Sequence, residues 1–236
     1  MTTSAHDTVD PTTVPRLTLA GGATIPMLGL GTFGSDRFSL EDIAEAVGVA
    51  LRTGYRLVDC ASVYANEHLI GPVLKSTMAE LGLSRDEVFV ISKVWNDAHD
   101  PAAAVASVHK SLADLGLEHL DALLIHWPFP NTHERFAAPD ARNPSSRPYI
   151  HAEYMAMYHA LEELVDAGLV RHLGVSNMTI PKLRLVLRDA RIAPAIHCRP
   201  VMAPSRLRTA QPLASRAQAS TALRRSAPSS PLALAS

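Results

Sequence analysis

Cysteine is scarce in this chain. The two present, Cys60 and Cys198, are too few for a disulfide framework and suit a reducing compartment. Surplus charge is also missing: 22 Lys and Arg stand against 23 Asp and Glu, which leaves neither the basic stripe that nucleic acid requires nor an acidic tail. No apolar run approaches the length of a bilayer span, and the polar N-terminus lacks the apolar centre of a signal peptide. These absences lead us to expect a globular, cytoplasmic protein with no nucleic-acid partner, no membrane segment and no metal.

What is present is an alternation of strand-like and helix-like segments. After a leader over residues 1–15, expected to be disordered, Leu17 to Leu19 and Ile25 to Met27 flank Gly21-Gly22 and suggest a β-hairpin. "MLGLGTF", "YRLVDC", "VFVISKVW", "DALLIHWP" and "LVRHLGVSN" then read as five strands. Helices are expected between and after them. The first is capped by Ser39 with Asp42, its buried face carrying Ile43, Ala46, Val47, Ala50 and Leu51. The second runs from Glu67 to Leu81, and the third opens at Asp100-Pro101 and stops at Gly116. The fourth spans His151 to Ala167, after a proline-rich loop from Phe129 to Pro148, and the fifth spans Ile180 to Arg188. Such a pattern implies right-handed βαβ crossovers and a parallel sheet, either an open doubly wound sheet or a closed (β/α) barrel.

"GLGTFG", Gly29 to Gly34, fits the dinucleotide fingerprint G-x-G-x-x-G, and Asp59 closes an apolar run further on. The fingerprint works by presenting a helix N-terminus to a pyrophosphate, so the helix must open at the third glycine. Here Ser35, Asp36, Arg37 and Phe38 intervene before the cap at Ser39, too many for the helix amides to reach a phosphate. We therefore read the glycines as relief for a crowded strand end.

The ionisable residues at the strand ends carry more information. Asp59, Lys93 and His126 each follow an apolar strand run, and Tyr64 lies shortly after Asp59. Parallel strands bring their C-terminal ends to one face, where a (β/α) barrel gathers its catalytic groups. Each residue alone has an ordinary structural use, as loop cap, solvated strand end or packed ring. Together they suit carbonyl chemistry: Tyr64 can hold a proton at neutral pH, Lys93 is expected to lower its pKa, Asp59 to orient Lys93, and His126 to hydrogen-bond a carbonyl oxygen. The reduction also needs a hydride, which no side chain supplies, so a nicotinamide cofactor is implied. A short-chain dehydrogenase is disfavoured, because Tyr64 lacks a lysine four residues on.

At these residues the sequence resembles the aldo-keto reductase family. "GYRLVDCASVYANE" is similar to its Asp-to-Tyr signature, "VISKVW" to its lysine strand, "LLIHWP" to its histidine strand, and "GLVRHLGVSN" to the segment that meets the nicotinamide amide. The resemblance runs from about Leu17 to Ala195 and implies a (β/α)8 TIM-type barrel. It also implies NADPH as cofactor, with NADH as the alternative, and a small-molecule carbonyl as substrate. By motif, the catalytic set is Asp59, Tyr64, Lys93 and His126, with Tyr64 the general acid. Thr32, Asp59, Ser176 and Asn177 would contact the cofactor, and Phe33, Trp95 and Trp127 would line the substrate pocket.

The resemblance breaks after "APAI", where the family continues with an Asn-Gln or Asn-Glu strand start. From Arg199 onward there is no Asp, Glu, Lys, Gly or aromatic residue, the composition of a low-complexity segment or of a GC-rich gene read out of frame. We thus expect a partial barrel over residues 16–196, truncated after about five βα units, followed by a disordered, non-family tail over 197–236. A frameshift, retained intron or mispredicted exon would account for it. Two unpaired sheet edges, low stability and weak cofactor affinity would follow. The alternative reading of the whole is a non-catalytic fragment or pseudoenzyme that binds a nucleotide or a partner protein.

Overall fold

The computed structural model describes residues 8–19, 21–131 and 144–198. Strands β1 (Arg16–Thr18) and β2 (Thr24–Pro26) pair antiparallel, with Leu17 opposite Ile25, as the expected hairpin shifted by one residue. Six parallel strands follow: β3 (Leu30–Gly31), β4 (Leu57–Asp59), β5 (Phe89–Val94), β6 (Leu120–Ile125), β7 (Val170–Ser176) and β8 (Ile196–Cys198). Five helices alternate with them: α1 (Leu40–Thr53), α2 (Glu67–Leu81), α3 (Pro101–Leu115), α4 (His151–Asp166) and α5 (Ile180–Asp189).

Strand order separates the two architectures left open by the sequence. A doubly wound sheet reverses direction part-way, whereas a barrel adds each strand beside the last. The observed order is strictly sequential, β3-β4-β5-β6-β7-β8. The sixth strand corrects the expected boundary: His197 and Cys198, assigned from sequence to a disordered tail, pair in register with Val175 and Ser176 of β7.

Side-chain alternation then assigns the two faces. Val58, Val90, Val94, Leu123, Ile125, Leu173 and Val175 point outward into the layer shared with the helices. Leu57, Phe89, Ile91, Ala122, Leu124 and Ile196 point inward and pack on Leu19 and Ile25 of the hairpin, which plugs the N-terminal end. Stepping two residues on along each strand, the inner face changes from apolar to polar: Asp59, Lys93 and His126 succeed Leu57, Ile91 and Leu124. The site is therefore set by the same period-two pattern that builds the core.

Local signals fix the helix ends. In α1 the Ser39 hydroxyl accepts from Asp42 N at 3.0 Å while the Asp42 carboxylate accepts from Ser39 N at 3.3 Å. The Asp100 carboxylate accepts from Ala102 N and Ala103 N at the start of α3. The buried face of α1 differs from expectation in one place: Ala46 is exposed, and Ala44 and Gly48 are buried instead, so the stripe is rotated toward α2. A Cβ built on Gly48 would lie 3.1 Å from Val73 and Thr77 of that helix.

Two further expectations change. The leader is structured from residue 8, where Val9 N donates to Thr53 O at 2.8 Å and Asp10 caps a short 3-10 turn, Pro11–Thr13. Of the fingerprint glycines only Gly29 is crowded, its missing Cβ lying against Leu57, while Gly31 has open space around it. Helix α1 starts at Leu40, well past Gly34, so its first amides are not presented at the third glycine as the dinucleotide fingerprint requires. Residues 132–143 of the Phe129 to Pro148 loop, and 199–236 of the expected tail, lie outside the described residues.

Candidate active site

Lys93 is the centre of the constellation. It is 4% exposed, and its Nζ donates to Asp59 Oδ1 at 2.6 Å and to the Cys60 carbonyl at 2.8 Å. Burial pulls the ammonium pKa down, but the charge of Asp59, aided by Tyr64, more than reverses this, and the net shift is upward. The lysine is a fixed positive charge throughout the neutral range. Ser62 Oγ donates to the Lys93 carbonyl at 3.1 Å, tying the turn that carries Tyr64 to β5.

That turn, Ser62–Tyr64, is a single 3-10 turn closed by Ala65 in the left-handed region at φ 53°. It sets the Tyr64 ring with Lys93 Nζ 5.2 Å from its centroid. The His126 ring stands edge-on to Tyr64 at 5.9 Å between centroids, and Trp95 stands edge-on to His126 at 4.9 Å. The four residues selected from the strand ends thus meet around one locus. One expectation is corrected. Lys93 does pull the Tyr64 pKa down, but burial outweighs it and Asp59 opposes it, so the net shift is upward. The phenol keeps its proton at neutral pH more firmly than the sequence suggests.

The residues expected at the cofactor form a second arc. Thr32, 1% exposed, donates from both N and Oγ1 to the Asp59 carbonyl, at 3.0 and 3.1 Å. Asn177 lies just beyond β7 at φ 55°, a left-handed conformation that asparagine tolerates. Its Nδ2 donates to the His126 carbonyl at 2.9 Å and to Ser176 Oγ at 3.1 Å, linking the two arcs. Of the expected pocket aromatics, Trp95 is 7% exposed and packs with Ala61 and Val63, and Trp127 and Tyr64 cover that cluster. Phe33 is 60% exposed, its ring 5.3 Å from Tyr64.

Three contributors escaped the sequence reading. Asn66, fully buried, donates from Nδ2 to the Thr32 carbonyl at 2.8 Å and holds the end of β3 in place. The Cys60 carbonyl is the second acceptor for Lys93. Cys198 on β8 pairs in register with Ser176, within electrostatic reach of Asp59 and Lys93, and burial raises its thiol pKa. The first two act through main-chain carbonyls, which leave no mark in a side-chain pattern. The third was legible only once β8 was known to exist.

A comparison with known proteins places this geometry. The model of the Aldo/keto reductase family matches residues 27–214. An aldo/keto reductase of Synechocystis sp. is 42% identical over 183 residues, which cover 76% of this chain and 53% of the relative. Aldo-keto reductase family 1 member A1 of Rattus norvegicus is 40% identical over 200 residues, 83% of this chain and 60% of the relative. Among solved structures, the aldose reductase of Schistosoma japonicum superposes with a TM-score of 0.70 at 34% identity, covering 79% of this chain and 61% of that one. The aldo-keto reductase of Bombyx mori in complex with NADP gives 0.68 at 28% identity, covering 82% and 59%. The chain thus spans a little over half the length of the relatives it matches.

Proposed function

The chain belongs to the aldo/keto reductase family, and on that premise we propose that it reduces an aldehyde or ketone to the alcohol with NADPH, Tyr64 delivering the proton. The observation that carries this reading is the ion pair of the buried Lys93 with Asp59 at 2.6 Å, set beside the Tyr64 ring, against which His126 stands edge-on. When bound, the nicotinamide supplies a hydride to the carbonyl carbon. The residues present fit its carboxamide end. Ser176 and Asn177 offer hydroxyl and amide groups for it, in line with the complex of the Bombyx mori aldo-keto reductase with NADP.

The remaining chemistry falls to the chain's own side chains. His126 donates a hydrogen bond to the substrate carbonyl oxygen and polarises it. Tyr64, kept protonated by its burial, transfers its phenolic proton to that oxygen as charge develops there. The phenolate left behind is stabilised by the Lys93 ammonium, which Asp59 keeps charged and oriented. Solvent then restores the phenol. Trp95, covered by Trp127 and Tyr64, and the exposed ring of Phe33 beside Tyr64 border the site. A cytoplasmic setting accompanies the proposal, with Cys60 and Cys198 both free thiols.

Titration of the full chain with NADPH, followed by cofactor fluorescence, and then turnover of a simple aldehyde test the reading. We expect saturable binding and substrate-dependent oxidation of NADPH. Binding without turnover would favour a non-catalytic nucleotide-binding fragment, and absence of both would contradict the proposal.

A further inference from the structure

Where the chain enters α4, three side chains outside the reduction site form a hydrogen-bonded relay. The hydroxyl of Tyr149 lies 2.7 Å from His151 Nδ1, and His151 Nε2 lies 2.7 Å from Oδ2 of Asp189 at the end of α5. The side chains of His151 and Asp189 are 22% and 33% exposed, and Tyr149 is half-buried, so the relay stands at the surface rather than in the core.

Chemistry fixes the direction of each bond. The Arg188 guanidinium, and then His151, hold the Asp189 carboxyl well below the usual carboxylate range, so it is ionised and can only accept. Nε2 of His151 must then carry the proton. In the neutral ring this makes Nδ1 an acceptor, and the Tyr149 hydroxyl is its donor. The order is the one that activates a hydroxyl nucleophile: a hydroxyl in reach of an imidazole, and an imidazole oriented by a carboxylate.

Two further features suit the relay to acyl transfer. Lys182 Nζ lies 5.4 Å from the centroid of the Tyr149 ring and 5.1 Å from that of Phe129, which sets a positive charge beside the phenol. The N-cap of α4 is Ile150, whose side chain has no oxygen to occupy the first amides of the helix. Those amides follow Tyr149 directly in the chain and are donors for an oxyanion.

We propose that Tyr149 is an acyl-acceptor site, activated by His151 and Asp189, for donors of the thioester or aryl-ester class. Tyr149 Oη bonds to the acyl carbon while its proton passes to His151 Nδ1. The bond from that carbon to the leaving sulfur or oxygen then breaks, and His151 returns the proton to the leaving group. The products are an O-acyl tyrosine and a free thiol or phenol, with nothing oxidised or reduced. Burial, with the charge of Asp189, pushes the Tyr149 phenol up to about 12, and a base that takes the proton during attack offsets this. The same value sets the donor class. The adduct expels the weaker base, so a thiol of pKa about 8.5 or a phenol of about 10 leaves ahead of Tyr149. An alkoxide does not, and an alkyl ester is returned unchanged.

Incubation of the full chain with p-nitrophenyl acetate, followed by peptide mass spectrometry, tests the assignment without cofactor or aldehyde. Tyr55 is the internal control, since it is half-buried as well and no histidine bonds it among the described residues. A positioned base contributes about 10²–10⁴-fold to rate, so Tyr149 should gain an acetyl group at least about 10²-fold faster than Tyr55. His151→Gln and Asp189→Asn, each verified as folded by circular dichroism, should slow labelling of Tyr149 toward the rate of Tyr55. Tyr64→Phe, which alters the reduction site, should leave it unchanged, and ethyl acetate should not label Tyr149. Acetylation of Tyr149 no faster than that of Tyr55, an unchanged rate in either folded relay variant, or loss of labelling in Tyr64→Phe would each overturn the proposal.

Discussion

The Lys93–Asp59 pair is not symmetric, and its two halves should fail differently. The ammonium is 4% exposed, whereas the carboxylate side chain is 29% exposed. Substituting Asp59→Asn leaves a buried positive charge with only the Cys60 carbonyl and an amide oxygen for company. Stranding a buried charge costs about 3–5 kcal/mol, and the surviving carbonyl bond puts this case near the low end, about 3 kcal/mol. Substituting Lys93→Met leaves instead a carboxylate that water can reach, while the new side chain fills the space of the lysine stem. That cost should be about 1–2 kcal/mol. The pH response should differ as well. In Asp59→Asn, burial acts on the ammonium without its counter-charge, so the folded pKa falls below the unfolded value of about 10.4. The unfolded state then binds more protons, and stability rises with pH across the alkaline range. Urea unfolding of both variants at neutral and alkaline pH reads each quantity directly. Equal costs, or a larger cost for Lys93→Met, would refute the argument that the buried ammonium is the group in need of a partner.

Two more outcomes follow from packing and titration. A Cβ built on Gly71 falls 2.5 Å from the Asp114 carbonyl oxygen and 2.7 Å from Leu115 main-chain atoms, so Gly71→Ala must push α2 off the end of α3. Urea unfolding should show a loss of about 1–3 kcal/mol, and an unchanged midpoint would contradict the close approach of these helices. The second concerns His99, whose pKa of about 4 lies below its unfolded value near 6.5. Its neutral form is what the fold favours, so its contribution is complete above pH 6.5 and is lost as pH falls toward 4, up to about 3 kcal/mol. His99→Gln should flatten the stability profile between pH 4 and 6.5, and an identical slope in the variant would show that His99 is not the titrating group.

The strand-end set of Asp59, Lys93 and His126 was legible because it obeys the same alternation as the core. Once "VFVISK" is read as a parallel strand, Lys93 must share the inner face with Phe89 and Ile91, and the same logic places Asp59 and His126. Helix ends were legible where a cap chemistry is written in the residues, at Ser39 with Asp42 and at Asp100-Pro101. The rotation of the α1 stripe away from Ala46 was not, since alanine carries little hydrophobic signal and the α1–α2 contact decides the face. The direction of the Tyr64 pKa shift was likewise hidden, because spacing reports a neighbouring charge but not the depth of burial that outweighs it.

Pre-steady-state turnover of a simple aldehyde by Tyr64→Phe, with NADPH affinity measured on the same sample, tests the central assignment most directly. A positioned proton donor contributes about 10²–10⁴-fold to rate, so the variant should bind NADPH as before while its reduction rate falls by that factor. Reduction at the unmodified rate in a variant that still binds NADPH would contradict the assignment of Tyr64.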